Sequence, residues 1–350
     1  MQKITRITAI IVTAVLALSL TACRQASQSQ SVTENTPPYV TESLQPSAPE
    51  STPPVVTEST PPTAAENTPP PTAPESTPPD NGEFTFTTEN MPVIDGSTAT
   101  IPLIEAVYSV LLGIPREQAA DMVSTSGTDN AYYRLFYGGA DILLVYSPSP
   151  DTLENAKNTG IELEMAPIGC DGLVFLVNKA NPVSSLTPDQ LVSIYSGETR
   201  NWKEVGGEDV DIKAFQRPYL SGSQTMMNEL VMKGVPMAET EAEYVIGEMG
   251  GLIEAVAQFD NAQSAIGYNV YYFVSRMDLN ENVRMLAVDG VEPSTQSISD
   301  GSYPFVSDFY AVIRKDTPEG SPARVLYDWI QSPDGINLIQ HEGYSHPKAR

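Results

Sequence analysis

A long tract that cannot fold by itself limits the folded part of this chain to its C-terminal portion. Residues 25 to about 90 are dominated by Ser, Thr, Pro and Glu, and a short Glu-Asn/Ser-Thr-Pro-Pro unit recurs from Glu34, Glu50, Glu58, Glu66 and Glu75. No unit carries a hydrophobic face to stack on the next one, so ordering the tract would cost more entropy than burial could offset. Proline and mutually repelling glutamates predict a disordered, semi-stiff tether over residues 23–90.

The N-terminus has the three parts of an export signal. Lys3 and Arg6 precede an apolar run at residues 9–20, which is short for a transmembrane helix, and small residues then lead to Cys23. The four residues that end at Cys23 read Leu-Thr-Ala-Cys and resemble the lipobox of bacterial lipoproteins. We therefore expect a signal peptide over residues 1–22 and a lipid on Cys23 that anchors the chain at the extracellular face of the cell membrane. A conventionally cleaved soluble protein is the alternative.

Residues 91–350 are numerous enough for one large domain or two lobes. Apolar runs of strand length alternate with helical patterns, the strands at residues 141–146, 172–178 and 212–216 and the helices at residues 103–112, 129–136, 187–195 and 226–232. Thr187, Pro188 and Gln190 have the spacing of a capping box with proline at the first helical position. The alternation predicts an α/β fold with mostly parallel sheets.

Charge and composition exclude several functions. A net charge of −25 argues against a nucleic-acid partner, although it does not argue against a small anion. Cys170 is the cysteine that remains after Cys23, and its apolar flanks predict a small buried side chain rather than a disulfide or a metal ligand. The two histidines, His341 and His346, lie near the C-terminus, and no Gly-x-Ser-x-Gly motif is present. We expect no enzyme activity, no cofactor and no metal.

Three short segments place glycine and hydroxyl side chains before predicted helices: Asp95-Gly-Ser-Thr-Ala-Thr100, Ser124-Thr-Ser-Gly-Thr128 and Leu220-Ser-Gly-Ser-Gln-Thr225. Glycine allows close approach of the backbone, and hydroxyls together with the free N–H groups of a helix start can donate to oxygen atoms. N-capping would explain any one of these segments. Three of them in one domain favour an anion site.

Two charged residues add to this pattern. Arg217 lies four residues before Ser221, at the end of a predicted strand, where its guanidinium could bind an oxyanion through two hydrogen bonds. Asp141 begins an apolar strand, where a carboxylate needs a partner. An ionised carboxylate only accepts hydrogen bonds, so Asp141 would suit a ligand that carries a proton, such as monohydrogen phosphate, and would reject sulfate. A surface ion pair for Arg217 and a capping or turn role for Asp141 are the alternatives.

The domain resembles the phosphate-binding proteins of ABC importers, which have the two-lobed periplasmic-binding-protein type II fold. The resemblance covers residues 91 to about 333. Its anchors, in chain order, are Asp95-Gly-Ser-Thr, Gly139-Ala-Asp-Ile142, Leu186-Thr-Pro-Asp-Gln-Leu191, Ile194-Tyr-Ser-Gly197, Asn201-Trp-Lys-Glu-Val-Gly-Gly207, Arg217 with Ser221-Gly222-Ser223, Ile266-Gly-Tyr268 and Asp300-Gly-Ser-Tyr-Pro304. Each anchor is weak alone, and together in this order they are specific.

The resemblance implies a phosphate site between the lobes, in which Asp141 accepts the ligand proton and the other residues donate. The implied ligand-binding residues are Ser97, Thr98, Thr128 with Ser126 as the alternative in the second loop, Asp141, Arg217, Ser221, Gly222 and Ser223. The third loop departs from the family pattern, because Ser223 stands where threonine is usual. A hydroxyl is kept there, so the ability to donate a hydrogen bond is kept as well.

The resemblance also implies a hinge. Lobe one would comprise residues 91–168 and 270–350 and lobe two residues 169–269, and the lobes would close over the ligand. We expect a monomeric lipoprotein that captures inorganic phosphate or a related oxyanion and delivers it to an ABC permease. The length of the tether keeps an alternative open, namely a surface-displayed adhesin or signalling module that retains the binding fold with a changed or lost ligand.

Overall fold

A computed structural model describes residues 84–346 of the chain. The predicted signal peptide, Cys23 and nearly all of the predicted tether lie outside the described residues, so what was expected of them stays a prediction. Between residues 84 and 346, no helix is both long and apolar enough to cross a membrane.

The described chain alternates strands with helices. The strands are β1 (Ile94–Gly96), β2 (Ile142–Tyr146), β3 (Leu163–Asn178), β4 (Ser185–Leu186), β5 (Lys213–Ala214), β6 (Ala265–Val270), β7 (Val283–Met285), β8 (Ala287–Val288) and β9 (Val306–Arg314). The helices are α1 (Ile101–Leu112), α2 (Arg116–Ala120), α3 (Thr128–Phe136), α4 (Pro150–Asn158), α5 (Pro188–Tyr195), α6 (Gly222–Met226), α7 (Met249–Gln258), α8 (Thr295–Ser299), α9 (Pro322–Ile330) and α10 (Pro333–His341). A π-helical segment, Met227–Met232, continues α6.

Seven strands form one mixed sheet in the order β1-β2-β9-β3-β6-β5, with β7 also paired to β3. The pairs β1–β2 and β5–β6 are parallel, whereas β9 and β3 run antiparallel to each other and to their remaining neighbours. The α/β class is therefore confirmed, but the prediction of mostly parallel sheets is wrong. The physical reason is that β6, β7 and β9 return to β3 from later parts of the chain, and an antiparallel return needs no crossover helix.

The long strand β3 joins the two halves of the sheet. Up to Gly172 it pairs with β9, and from Leu173 onwards it pairs with β6 and β7. A register shift between Pro167 and Gly169 interrupts its pairing with β9. We call β1, β2 and β9 the first half of the sheet and β5, β6 and β7 the second half. The lobe boundaries expected from the sequence remain a prediction.

The apolar patterns that predicted the elements also build the core. β2 is buried at every position, as its uninterrupted apolar run requires for a strand covered on both faces. The predicted strand at residues 172–178 is the second part of β3, whereas the one at 212–216 is reduced to the two-residue strand β5 and a bridge from Gln216 to Val245. All four predicted helices are present. The predicted capping box is confirmed as well. The Gln190 N–H donates to Thr187 Oγ1 over 3.1 Å, and the Gln190 side chain accepts from the Thr187 N–H over 2.9 Å. Cys170 is buried in β3, as predicted.

Candidate functional site

All three hydroxyl-rich segments line one cleft of about 830 Å³. The first loop follows β1, the second precedes α3 and the third precedes α6, so residues far apart in sequence meet at one place. The other lining residues are Asn130 on α3, Tyr146 at the end of β2, the three residues that precede Leu220, and residues around the start of α7 and the end of β6. The full lining is Ser97, Thr98, Thr125, Ser126, Gly127, Thr128, Asn130, Tyr146, Arg217, Pro218, Tyr219, Leu220, Ser221, Gly222, Ser223, Gly247, Glu248, Met249, Gly250, Val270 and Phe273.

The first loop needs glycine at position 96. A β-carbon there would collide with the backbone carbonyl oxygen of Leu144 on β2 and with the Thr100 hydroxyl. The Ser97 hydroxyl then accepts from the backbone N–H of Tyr146 over 3.2 Å and lies 2.8 Å from Thr128 Oγ1. Ser97 and Thr128 are both buried. The close approach of the backbone therefore brings the first and second loops into direct contact at the cleft.

Asp95 holds the second loop in place. Its carboxylate is fully buried and accepts from the Ser126 N–H over 2.8 Å, from the Ser126 hydroxyl and from Arg134 Nη1 over 2.8 Å. The sequence pattern did not identify Arg134, which lies on α3. Because the Ser126 hydroxyl is engaged by Asp95, Thr128 is the second-loop residue whose hydroxyl faces the first loop.

The third loop packs across the cleft onto the second loop. The Ser221 hydroxyl caps α6 by accepting from the Gln224 N–H over 3.3 Å. Gly222 lies so close to Thr128 that a β-carbon at Gly222 would collide with the Thr128 hydroxyl. Ser223 is buried, and its hydroxyl has no hydrogen-bond partner among the described residues.

Arg217 is buried, with 7% of its surface exposed, and lies at the cleft. Its Nη1 donates to the carbonyl oxygen of Ile246 over 3.0 Å, whereas its Nε has no partner within residues 84–346. Burial lowers the pKa of the guanidinium, and the charges of Tyr268 and Glu248 partly oppose that shift. The cleft therefore holds a buried cation with an unused N–H donor.

Asp141 does not reach the cleft, and the role expected for it is wrong. Its side chain is exposed and its Oδ2 accepts from the Val93 N–H over 2.8 Å. Asp141 precedes the first residue of β2, whereas Tyr146 at the other end of β2 lines the cleft. Five residues of extended strand span about 16 Å, so the two ends of β2 serve different surfaces. Ligands of open α/β sheets bind at the carboxyl ends of strands, and Asp141 is at the amino end.

Tyr146 and Asp171 form a pair that the sequence pattern missed. The Tyr146 hydroxyl donates to Asp171 Oδ2 over 2.7 Å, and Asp171 Oδ1 accepts from the N–H groups of Gly172 over 2.7 Å and Tyr272 over 3.1 Å. Burial raises the pKa of the Asp171 carboxyl to about 7 in spite of these hydrogen bonds. The rule that ligands meet the carboxyl ends of strands would have identified Tyr146 from its place in the apolar run.

Glu248 and Phe273 also line the cleft without having been predicted. Glu248 precedes the first residue of α7, and Phe273 follows β6. Neither residue belongs to a hydroxyl-rich segment, so no sequence pattern indicated a place at the cleft for either. Within the described part of the chain, no group of three or more His, Cys, Asp or Glu residues is placed to hold a metal ion.

Comparison with known proteins agrees with this architecture. Residues 83–334 match the PBP superfamily domain. The phosphate-binding protein PstS of Borreliella burgdorferi is 21% identical over 73% of this chain and 90% of its own length, and PstS of Bacillus subtilis is 25% identical over 72% and 79%.

Among solved structures, one with bound phosphate comes from a Clostridium perfringens protein assigned as a phosphate ABC transporter substrate-binding protein. It is 25% identical, has a TM-score of 0.55 and covers 73% of this chain and 98% of its own. A phosphate transport receptor from Vibrio cholerae, 22% identical over 73% and 99%, has a TM-score of 0.54 and shares the fold. These relatives are binding proteins and not enzymes. The chain is PstS-like, and it belongs to the PBP superfamily.

Proposed function

We propose that this chain captures inorganic phosphate, or a similar oxyanion, outside the cytoplasm and delivers it to the permease of an ABC transporter. The names of its relatives, PstS, and the neighbour solved with bound phosphate support this proposal. The observation that carries it is a pair of buried donors in one cleft, Arg217 Nε and Ser223 Oγ, that lack a partner among the described residues.

Buried donors without acceptors are costly, at about 1–3 kcal/mol for each group. A bound oxyanion would supply acceptor oxygens to both groups and would offset that cost. The guanidinium adds a charge-assisted hydrogen bond, which is roughly twice as strong as a neutral one. The arrangement therefore favours a small anion over a neutral ligand at this end of the cleft.

The proposed ligand-binding residues come from all three loops and differ from the sequence-based set in one respect, because Asp141 is absent. They are Ser97, Thr98, Thr128, Arg217, Ser221, Gly222 and Ser223. Thr128 begins α3 and Gly222 begins α6, so the backbone N–H groups of both first turns add donors at the same place.

We also propose that the protein is anchored at the outer face of the cell membrane. A lipid on Cys23 and a tether over residues 23–90 would hold a monomeric binding domain close to the permease, where the tether sets its effective concentration. Mass spectrometry of the mature N-terminus tests this idea, because acylated Cys23 would add the mass of its acyl chains. An unmodified N-terminus at any other residue would contradict the lipid anchor.

Calorimetric titration of the purified chain with phosphate tests the capture function. We expect saturable binding with a dissociation constant well below about 100 μM, which corresponds to roughly 5.5 kcal/mol of binding free energy. No binding at that concentration would contradict phosphate capture and would favour a surface adhesin or signalling module that has lost the ligand.

A further inference from the structure

The cleft is larger than a bare oxyanion requires. Its volume of about 830 Å³ falls within the range of roughly 300–1,000 Å³ found for clefts that hold organic ligands. A tetrahedral anion has only five heavy atoms, and the three loops with Arg217 already offer it donors. The rest of the lining includes a group that we call the tail region, which consists of Gly247, Glu248, Met249, Val270 and Phe273.

The tail region contains Glu248, the one acidic side chain in the described lining of the cleft. Glu248 is exposed, and it takes part in none of the ion pairs within residues 84–346. It is near enough to Arg217 for its charge to influence the pKa of the guanidinium. The cleft therefore presents a buried cation at one end and a solvent-accessible carboxylate beside it.

A carboxylate at this place is unfavourable for a ligand that is only an anion. Like charges repel, so Glu248 would weaken the binding of bare phosphate unless the ligand carried a compensating positive group. An ammonium group on the ligand would pair with the Glu248 carboxylate, and that pairing would offset the repulsion.

We propose that the cleft selects a tetrahedral oxyanion that carries an organic ammonium group, namely an aminoalkyl phosphonate or aminoalkyl phosphate ester. The oxyanion lies among the three loops and accepts from Arg217 and Ser223, and the ammonium group lies in the tail region beside Glu248. This inference rests on the proposed capture of oxyanions and narrows the class of ligand.

Titration of the full chain with three probes tests the inference: inorganic phosphate, ethylphosphonate and 2-aminoethylphosphonate. The two phosphonates have nearly the same size and differ in the ammonium group. We expect 2-aminoethylphosphonate to bind about fivefold more tightly than ethylphosphonate, which is the upper range for a solvent-accessible ion pair. Glu248→Gln should bring that ratio close to one without weakening ethylphosphonate. Glu254→Gln removes the same charge from α7 outside the cleft lining and should preserve the ratio.

The outcomes separate the inference from the proposed function. Equal affinities for the two phosphonates in the unmodified chain would overturn the inference, while bound phosphate would leave oxyanion capture intact. A preference for 2-aminoethylphosphonate that survives in Glu248→Gln would also overturn it, because the ammonium group would then be recognised elsewhere. If the folded chain binds none of the three probes, the proposed function fails and the inference fails with it.

Discussion

At the scale of single residues, Arg217 determines whether the cleft can hold an anion. It is buried, it donates to the Ile246 carbonyl, and it keeps an N–H donor for which the described chain offers no acceptor. A guanidinium remains charged at physiological pH, so its burial is stable only if other groups compensate the charge. In the absence of an ion pair for Arg217 within residues 84–346, a bound oxyanion is the compensating group we propose.

Arg217→Ala should therefore abolish tight binding of phosphate. Loss of a buried, charge-assisted contact costs about 2–5 kcal/mol, or about 30-fold or more in the dissociation constant. Calorimetric titration measures the change, and Arg200→Ala is the matched control, because Arg200 is exposed and does not line the cleft. Equal losses in both variants would indicate a general electrostatic effect rather than a contact with the ligand.

Asp141→Asn should leave both the affinity for phosphate and the discrimination against sulfate unchanged. The reason is its position at the amino end of β2, where it accepts from the Val93 N–H and the asparagine oxygen can do the same. Competition titrations with phosphate and sulfate measure both quantities. A clear loss of selectivity would mean that Asp141 acts on the ligand in spite of its distance from the cleft.

The chemistry of the donors could be predicted at this scale, but the acceptors could not. Glycine and hydroxyl residues before helix starts indicated the three loops, because a helix start always leaves N–H groups without intrahelical partners. The carboxylate that meets the cleft is Glu248 and not Asp141. The place of Glu248 at the cleft depends on how α7 packs against the sheet, and no local pattern before α7 indicates it.

At the scale of elements, β3 and the segment after β6 connect the two halves of the sheet. Asp171 lies on β3 at the point where the pairing of that strand changes from β9 to β6. Its carboxyl group accepts hydrogen bonds from the Tyr272 N–H, in the segment after β6, and from the Tyr146 hydroxyl at the end of β2. One buried carboxyl thus ties three elements together beside the cleft. Its protonation state should affect how firmly these elements are held.

The pKa of Asp171 predicts a specific dependence of stability on pH. Burial raises the pKa to about 7 from an ordinary value near 3.8, so the folded state binds a proton that the unfolded state releases between these values. Stability from this group is therefore greatest at low pH and falls as the pH rises from about 4 to 7, by about 1.4 kcal/mol for each pH unit.

Asp171→Asn should remove the part of the pH dependence of stability that Asp171 causes, because the amide is neutral at every pH. Its oxygen can still accept from the N–H groups of Gly172 and Tyr272. Urea unfolding at pH 5 and pH 7.5 measures it, and the free energy of unfolding of the variant should fall less with rising pH than that of the unmodified chain. Asp209→Asn is the control, since Asp209 is exposed and its pKa is lowered by Lys203. Identical pH profiles for Asp171→Asn and the unmodified chain would contradict the raised pKa.

Most elements could be predicted from the sequence, whereas their arrangement in the sheet could not. Helix α3 follows from apolar spacing, and α5 follows from apolar spacing together with the capping residues Thr187 and Gln190, which lie three positions apart. The antiparallel course of β9 against β3 depends on residues more than a hundred positions apart in the chain. Local patterns do not record such pairings, so alternation of strands and helices was a misleading guide to strand direction.

At the scale of the whole molecule, binding should be accompanied by closure of the cleft. Gly222 in the third loop contacts Thr128 in the second loop. The third loop lies next to the second half of the sheet, and the second loop lies next to the first half. We propose that this contact belongs to the closed form and that the ligand stabilises it.

Small-angle X-ray scattering of the full chain, with and without phosphate, measures this closure. We expect a smaller radius of gyration with saturating phosphate than without it, and no such compaction for Arg217→Ala at the same phosphate concentration. Superimposable curves for the unmodified chain under both conditions, with binding confirmed by calorimetry, would contradict a hinge motion.

Patterns along the chain were enough to predict the α/β class, most of the helices and strands, and the kind of group that the cleft would offer to a ligand. These features follow from interactions over a few residues: apolar spacing, capping, and glycine beside hydroxyls at helix starts. Contacts between distant segments decided that Asp141 faces away, that Asp95 and Arg134 hold the second loop, that Asp171 pairs with Tyr146 and that Glu248 lies at the cleft. The reason is physical, because contacts between distant segments and the burial that shifts a pKa exist only after β2, β3 and β9 have paired.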